Sequence, residues 1–184
     1  RPYPNQWEAH AETQSGMRVL IRPIRPADET LYGAFLEKLS AEDIRFRFLS
    51  PRKEFSHAFV ARFTQIDYAR SMAFVALSED QQELLGVARL AADPDYTRAE
   101  YAVIVRSDLK GRGLGWALMH HLIRYAEGEG LRDLHGDVLA ANVGMLKMCR
   151  ELGFDIAADP EDLSMRKVRL KLPLTTARSE SLST

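Results

Sequence analysis

The 184-residue chain has one cysteine, Cys149, so neither an internal disulfide nor a multi-cysteine zinc site can form. A reducing, cytoplasmic setting is the corresponding expectation. No apolar run approaches the roughly 20 residues needed to cross a bilayer, which excludes a membrane-spanning helix as the organising element. Charge of one sign is also missing. The net charge is -1, which argues against a nucleic-acid protein held by a basic surface. What is present is ordinary for a soluble domain: 46% hydrophobic and 28% charged residues, enough to bury a core without staples. Arg1-Pro2-Tyr3-Pro4 carries no initiator methionine and no apolar continuation. It reads as the start of an excised domain, not as a signal peptide.

Residues 1–16 are polar and read as a linker, 17–174 as one domain, and 175–184 as a flexible tail. Met17–Arg22 reads as a first strand, ended by Pro23 and Pro26. Leu31, Phe35 and Leu39 have helical spacing, and Ser40 and Ser56 are candidate caps for two further helices. Phe46, Phe48, Phe59 and Phe63 read as core, with some of them free to line a substrate groove, and Pro51 reads as a stop. Three strands follow, at Ser71–Leu77, Leu84–Ala91 and Glu100–Val105, with Asp93 and Asp95 in the turn before the last. Leu114, Leu118, Leu122 and Ala126 predict a helix of about four turns. His120 and His121 are adjacent on it and lack metal-ligand spacing. A strand at Leu134–Leu139, a helix at Asn142–Leu152 and a strand at Ser164–Leu172 complete an α+β fold.

Lys110-Gly111-Arg112-Gly113-Leu114-Gly115 stands between the apolar strand and the long helix. Alternate glycines leave backbone N–H groups uncovered, and the helix start adds its own orphan donors and the positive end of its dipole. Such a site holds a phosphate or pyrophosphate. A Walker loop is excluded, because Trp116 follows Gly115 where Lys-Ser or Lys-Thr is required. The dinucleotide fingerprint is a poor match, because the third glycine comes one residue early and no acidic ribose partner follows.

The run resembles the acyl-CoA pyrophosphate loop of the GNAT acetyltransferases, with Lys110 at the family's Gln/Arg position. Downstream, Asn142, Met145, Leu146, Met148, Leu152, Gly153 and Phe154 resemble the family's last motif, about 30 residues past the loop. The resemblance implies a mixed, mostly antiparallel central sheet flanked by helices, with acetyl-CoA as co-substrate and no metal. It assigns the acetyl arm to the backbone of Val103, Ile104 and Val105. The pyrophosphate falls to Gly111, Arg112, Gly113, Leu114, Gly115 and Trp116, with Lys110 and Arg112 adding charge at the rim. Asn142 would bond the arm or a water, with Met145 and Cys149 on the cofactor side.

An ammonium of pKa about 10.4 must lose a proton before its nitrogen can attack a thioester. The resemblance points to Glu100 as the general base, acting directly or through a water. A half-buried carboxylate beside Tyr101 and Ala102 is expected to have a raised pKa. The alternative is a strand-end Glu exposed to solvent or paired with Arg98 or Arg106. Many relatives carry a proton-donating tyrosine seven residues after the Asn, where this chain has Cys149. Cys149 reads as packing.

Arg18–Asp28 and the later Leu39-Ser40, Glu42 and Arg47-Phe48 resemble the acetyltransferase domain of bacterial Pat-type protein lysine acetyltransferases. That resemblance implies a lysine side chain of a protein as acceptor, with AMP-forming acyl-CoA synthetases as targets. It also implies a regulatory synthetase-like domain in a longer chain. Nucleic acid and membrane are not expected partners. A small-molecule amine acetyltransferase and a non-catalytic acetyl-CoA sensor are the alternatives.

Overall fold

The structure, a computed structural model, describes residues 1–49 and 55–174. The stop read at Pro51 and the tail at 175–184 lie outside them. In chain order the elements are β1 (Ala9–Glu12), β2 (Arg18–Pro23), α1 (Glu29–Glu37), α2 (Ala41–Phe48) and α3 (His57–Thr64). Then come β3 (Ser71–Ser78), β4 (Leu84–Ala92), β5 (Arg98–Val105), α4 (Leu114–Gly128) and β6 (Asp133–Leu139). Last are α5 (Val143–Leu152), β7 (Asp155–Asp159) and β8 (Asp162–Lys171). The strands form one mixed sheet in the order β1-β2-β3-β4-β5-β6-β8-β7. The pairings of β1 with β2, β2 with β3, and β8 with both β6 and β7 are antiparallel; β5 and β6 run parallel. This is the expected α+β architecture.

The segment read as a linker is structured. Asn5–Trp7 makes one 3-10 turn, and β1 pairs with β2 from Ala9↔Ile21 to Glu12↔Arg18. Strand β7, unread in the sequence, pairs with β8 from Asp155↔Arg169. Both strands are short and mostly exposed or half-buried, so neither carries the apolar alternation by which strands are read.

The chain folds into two compact units. The first comprises residues 1–90 and 102–122. Its core joins Tyr32, Phe35 and Leu36 of α1, Ile44 of α2, and Phe59 and Val60 of α3 to Val75, Leu77, Val87 and Ile104 of the sheet. Ser40 and Ser56 cap α2 and α3 as expected, their hydroxyls accepting from Asp43 N–H (3.0 Å) and Phe59 N–H (3.1 Å). After β2 the chain turns back through a buried ion pair. Both terminal guanidinium nitrogens of Arg22 donate to Asp28, at 2.7 and 2.8 Å. Burial opposes the Arg22 charge, but Asp28 outweighs it and holds the guanidinium above its ordinary pKa.

Among the described residues, the second unit comprises 91–101 and 123–174. Here β6 pairs with β8 from Asp133↔Lys171 to Leu139↔Met165. Leu146, Cys149 and Leu152 form the buried face of α5. Gly153, at φ 96°, ends α5, and Phe154 N–H reaches back to the Cys149 carbonyl at 2.8 Å.

Candidate active site

In the first unit the glycine loop follows β5 and enters α4 directly. Gly111 (φ 80°) and Gly113 (φ 84°) lie in the left-handed region, which side chains other than glycine adopt with strain. The first bond of α4 runs from Ala117 N–H to Gly113 carbonyl (3.1 Å). Helix geometry therefore leaves the donors of Leu114 and Gly115 without an intrahelical acceptor, as an anion site requires. Arg112 is exposed at the rim.

Lys110 is exposed too, and it is ion-paired. Its ammonium is 2.6 Å from Asp43 of α2, and Ser107 donates to the other Asp43 oxygen at 2.5 Å. Burial alone would raise the Asp43 carboxyl. The bonds from Lys110 and Ser107 outweigh it and hold the carboxyl below the usual range. Ser107 also accepts the Ser40 N–H (2.8 Å), so the entry of α2 and the foot of the loop are one network. Lys110 is thus a brace for the loop. A second brace comes from the β1–β2 turn, where Ser15 donates to the Arg112 carbonyl at 2.8 Å.

Strand β5 carries the remaining candidates. Its parallel pairing with β6 covers three residue pairs, Arg98↔Asp133, Ala99↔Leu134 and Glu100↔His135. Glu100 is exposed, not half-buried, because it lies on the face of β5 opposite to buried Ala99 and Tyr101. Among the described residues its side chain has no hydrogen bond or ion pair. Neither expected neutraliser reaches it: Arg98 binds Asp133 at 3.0 Å, and Arg106 binds Asp108 (2.7 Å) and Glu83 (3.3 Å). Val103 and Ile104 are buried and Val105 is half-buried.

In the second unit Asn142 caps α5, its side-chain oxygen accepting from Met145 N–H at 3.2 Å. Its amide NH2 makes no hydrogen bond among the described residues and remains a donor for a ligand. Cys149 has no solvent exposure. Its sulfur is 3.2 Å from the Tyr101 hydroxyl, which also lies 3.8 Å from the Met145 sulfur. Burial raises the Cys149 thiol, with the Tyr101 bond opposing it. Burial also lifts the Tyr101 hydroxyl well above its ordinary value. Both groups are neutral near pH 7. The packing reading of Cys149 agrees with this environment.

Three interactions bordering the site escape the sequence reading, those of Ser15, Asp43 and Tyr101. Asp43 leaves a trace as the third residue after a serine cap. The others act through partners remote in sequence. Among the described residues no cluster of His, Cys, Asp and Glu could hold a metal ion, and no helix is long and apolar enough to cross a membrane.

Residues 38–154 match the acetyltransferase (GNAT) family, and the chain belongs to that family. It is 40% identical over 159 residues to an acetyltransferase of Pseudomonas aeruginosa, covering 85% of this chain and 86% of that one. The GNAT domain of S. lividans PAT superposes with a TM-score of 0.85 at 28% identity, over 92% of this chain and 99% of that chain. The acetyltransferase Pat of Mycolicibacterium smegmatis is 31% identical over 145 residues, which is 77% of this chain and 43% of that relative. The chain therefore spans less than half of that protein, and its domain resembles those of the Pat type.

Proposed function

We propose that this acetyltransferase moves the acetyl group of acetyl-CoA to a lysine side chain of a protein, with Glu100 as general base. The observation that carries the reading is the placement of Glu100: exposed, without a partner, and on the strand that leads into the phosphate loop. The likeness to Pat-type domains supports a protein acceptor, and the free buried thiol fits a reducing cytoplasm.

In this reading the loop donors of Gly111 to Trp116 take the pyrophosphate, and the backbone of Val103 to Val105 lies along the arm. Asn142 bonds the arm through its amide NH2, and Met145 and Cys149 pack behind it. Glu100 accepts a proton from the lysine ammonium, directly or through a water. The freed lone pair forms the new C–N bond at the thioester carbonyl, the nitrogen releases its second proton to solvent as the C–S bond breaks, and the thiolate leaves and takes a proton from solvent. Backbone N–H groups of β5 stabilise the oxyanion. AMP-forming acyl-CoA synthetases are the proposed targets, with a synthetase-like domain as regulator.

The test is incubation with acetyl-CoA and a panel of such synthetases, with acetyl-lysines located by mass. Glu100→Gln is expected to lower turnover about 10²- to 10⁴-fold while acetyl-CoA binding stays unchanged. Transfer to small amines alone, with no protein acetylated, sinks the protein-acceptor reading. Unchanged turnover removes Glu100 from the mechanism.

A further inference from the structure

Two arginines of the first unit have a side-chain nitrogen sealed from solvent and unbonded, and they differ in one respect. Arg22 has Asp28 as a bidentate counter-ion. Arg89, in the middle of β4, has none among the described residues. Its one hydrogen bond among the described residues runs from Nη2 to the carbonyl of Phe63, in the last turn of α3, at 2.8 Å. The guanidinium carbon lies 4.4 Å from the centroid of the Phe63 ring, which stacks in turn on Tyr32 at 6.0 Å and 12°. Nε is buried without a partner, and burial pushes the group's pKa down.

A guanidinium has five donors in a planar fork that fits a carboxylate. Here one donor serves the end of a helix, and among the described residues Nε has no acceptor. A partly desolvated guanidinium without a carboxylate beside it favours an added counter-ion. The side chain is only partly covered, which leaves a path for one.

The place of Arg89 in the sheet indicates which ligand. Arg106 N–H donates to the Leu85 carbonyl, and Asp93 N–H to the Arg98 carbonyl, in the same register. Four residues along each strand from Leu85 and Arg106, Arg89 stands opposite Ala102, and Val87 stands opposite Ile104. Val87 and Ile104 belong to the core beneath α1, α2 and α3, so Arg89 shares that face. Strand alternation gives Ala102 and Glu100 the same face of β5. The pyrophosphate has its own donors in the glycine loop, and Arg89 is not among them.

We infer that Arg89 is a specificity residue that binds a carboxylate carried by the acceptor near the amine to be acetylated. The inference rests on the acetyl-transfer reading above. The carboxylate is either an acidic side chain flanking the target lysine or the α-carboxylate of a free amino acid.

The test compares acceptors that differ only in that group: lysine peptides with Glu or Gln beside the lysine, and free L-lysine against L-lysine amide. The wild-type KM is expected to be at least about tenfold lower for the carboxylate-bearing member of one pair, and which pair responds identifies the source. Arg89→Met should erase the preference with the KM for acetyl-CoA unchanged. Should Arg89→Met not fold, Arg89→Lys keeps the charge without the fork and should still lose most of it. A parallel arm needs no turnover: glutarate should raise the Tm of the wild type and not of the variants. If no acceptor is acetylated but glutarate protection depends on Arg89, the carboxylate site stands and the transfer reading fails. Equal KM values within both wild-type pairs, or glutarate protection that survives in the variants, overturn the proposal.

Discussion

The hydroxyl of Tyr101 on β5 meets the thiol of Cys149 on α5 at 3.2 Å, in surroundings that exclude water from the sulfur. The ring of Tyr101 lies over Gly136 of β6 and beside Phe154, whose centroid is 5.3 Å away. A tyrosine from the sheet thus fills the space against the helix position at which many GNAT relatives carry their own.

This pair predicts alkaline weakening. Both groups are raised in the folded chain, which therefore binds more protons than the unfolded chain above the usual thiol pKa of about 8.5. Their stabilisation is complete below that pH and is lost as pH rises, with Tyr101 adding its share above about pH 10. Urea midpoints measured from pH 7 to 10 should fall for the wild type and fall less steeply for Cys149→Ala. Parallel declines would show that the thiol is not responsible. Cys149 should also resist thiol reagents until the chain is unfolded.

Gly136 tests the same packing from the other side. A Cβ there would sit 2.9 Å from a Tyr101 ring carbon, closer than non-bonded carbons tolerate. Gly136→Ala should destabilise by about 1–3 kcal/mol through overpacking, read as a lower urea midpoint with an unchanged slope. An unchanged midpoint would mean that the ring has room to move.

Asp43 predicts an acid effect of the opposite sign. Its carboxyl is held low by Lys110 and Ser107 against burial, so the folded chain binds fewer protons than the unfolded one just below the usual carboxylate pKa of about 3.9. The stabilisation is present above that pH and disappears as pH falls through the lowered value. Asp43→Asn should remove this acid-side loss. It should also raise the KM for acetyl-CoA several-fold by releasing Lys110, with kcat less affected. A KM equal to that of the wild type would show that the loop holds its shape without the brace.

Arg22 and Asp28 give the largest expected stability effect. Their side chains are 7% and 4% exposed, so removing one charge strands the other. Asp28→Asn should cost about 3–5 kcal/mol in denaturant unfolding, whereas replacing both residues by apolar ones of similar volume should cost much less. A double variant as unstable as the single one would place the cost elsewhere in the turn.

Much of the architecture is legible in the residues because it is local. Leu114, Leu118 and Leu122 face the core at helical spacing, and Ser40 and Ser56 cap helices within three residues of themselves. β1 and β7 are not legible, since a short, mostly uncovered strand carries no apolar alternation. The partner of Lys110 lies 67 residues away, and nothing near either residue names the other. Arg89 did leave a sign: a charged side chain between Ala88 and Leu90, in a strand otherwise apolar, asks for a counter-ion.

By itself, the sequence determined the glycine-rich entry to α4 and the end of α5 at Gly153-Phe154, because such features depend on backbone preferences within a turn or two. Only the tertiary structure decided that Lys110 braces the loop, that Glu100 faces outward, that Cys149 is closed off by Tyr101 and that Arg89 has no counter-ion among the described residues. Those outcomes turn on which strands pair and which faces are covered, and such choices are made by the whole chain when it buries its apolar surface.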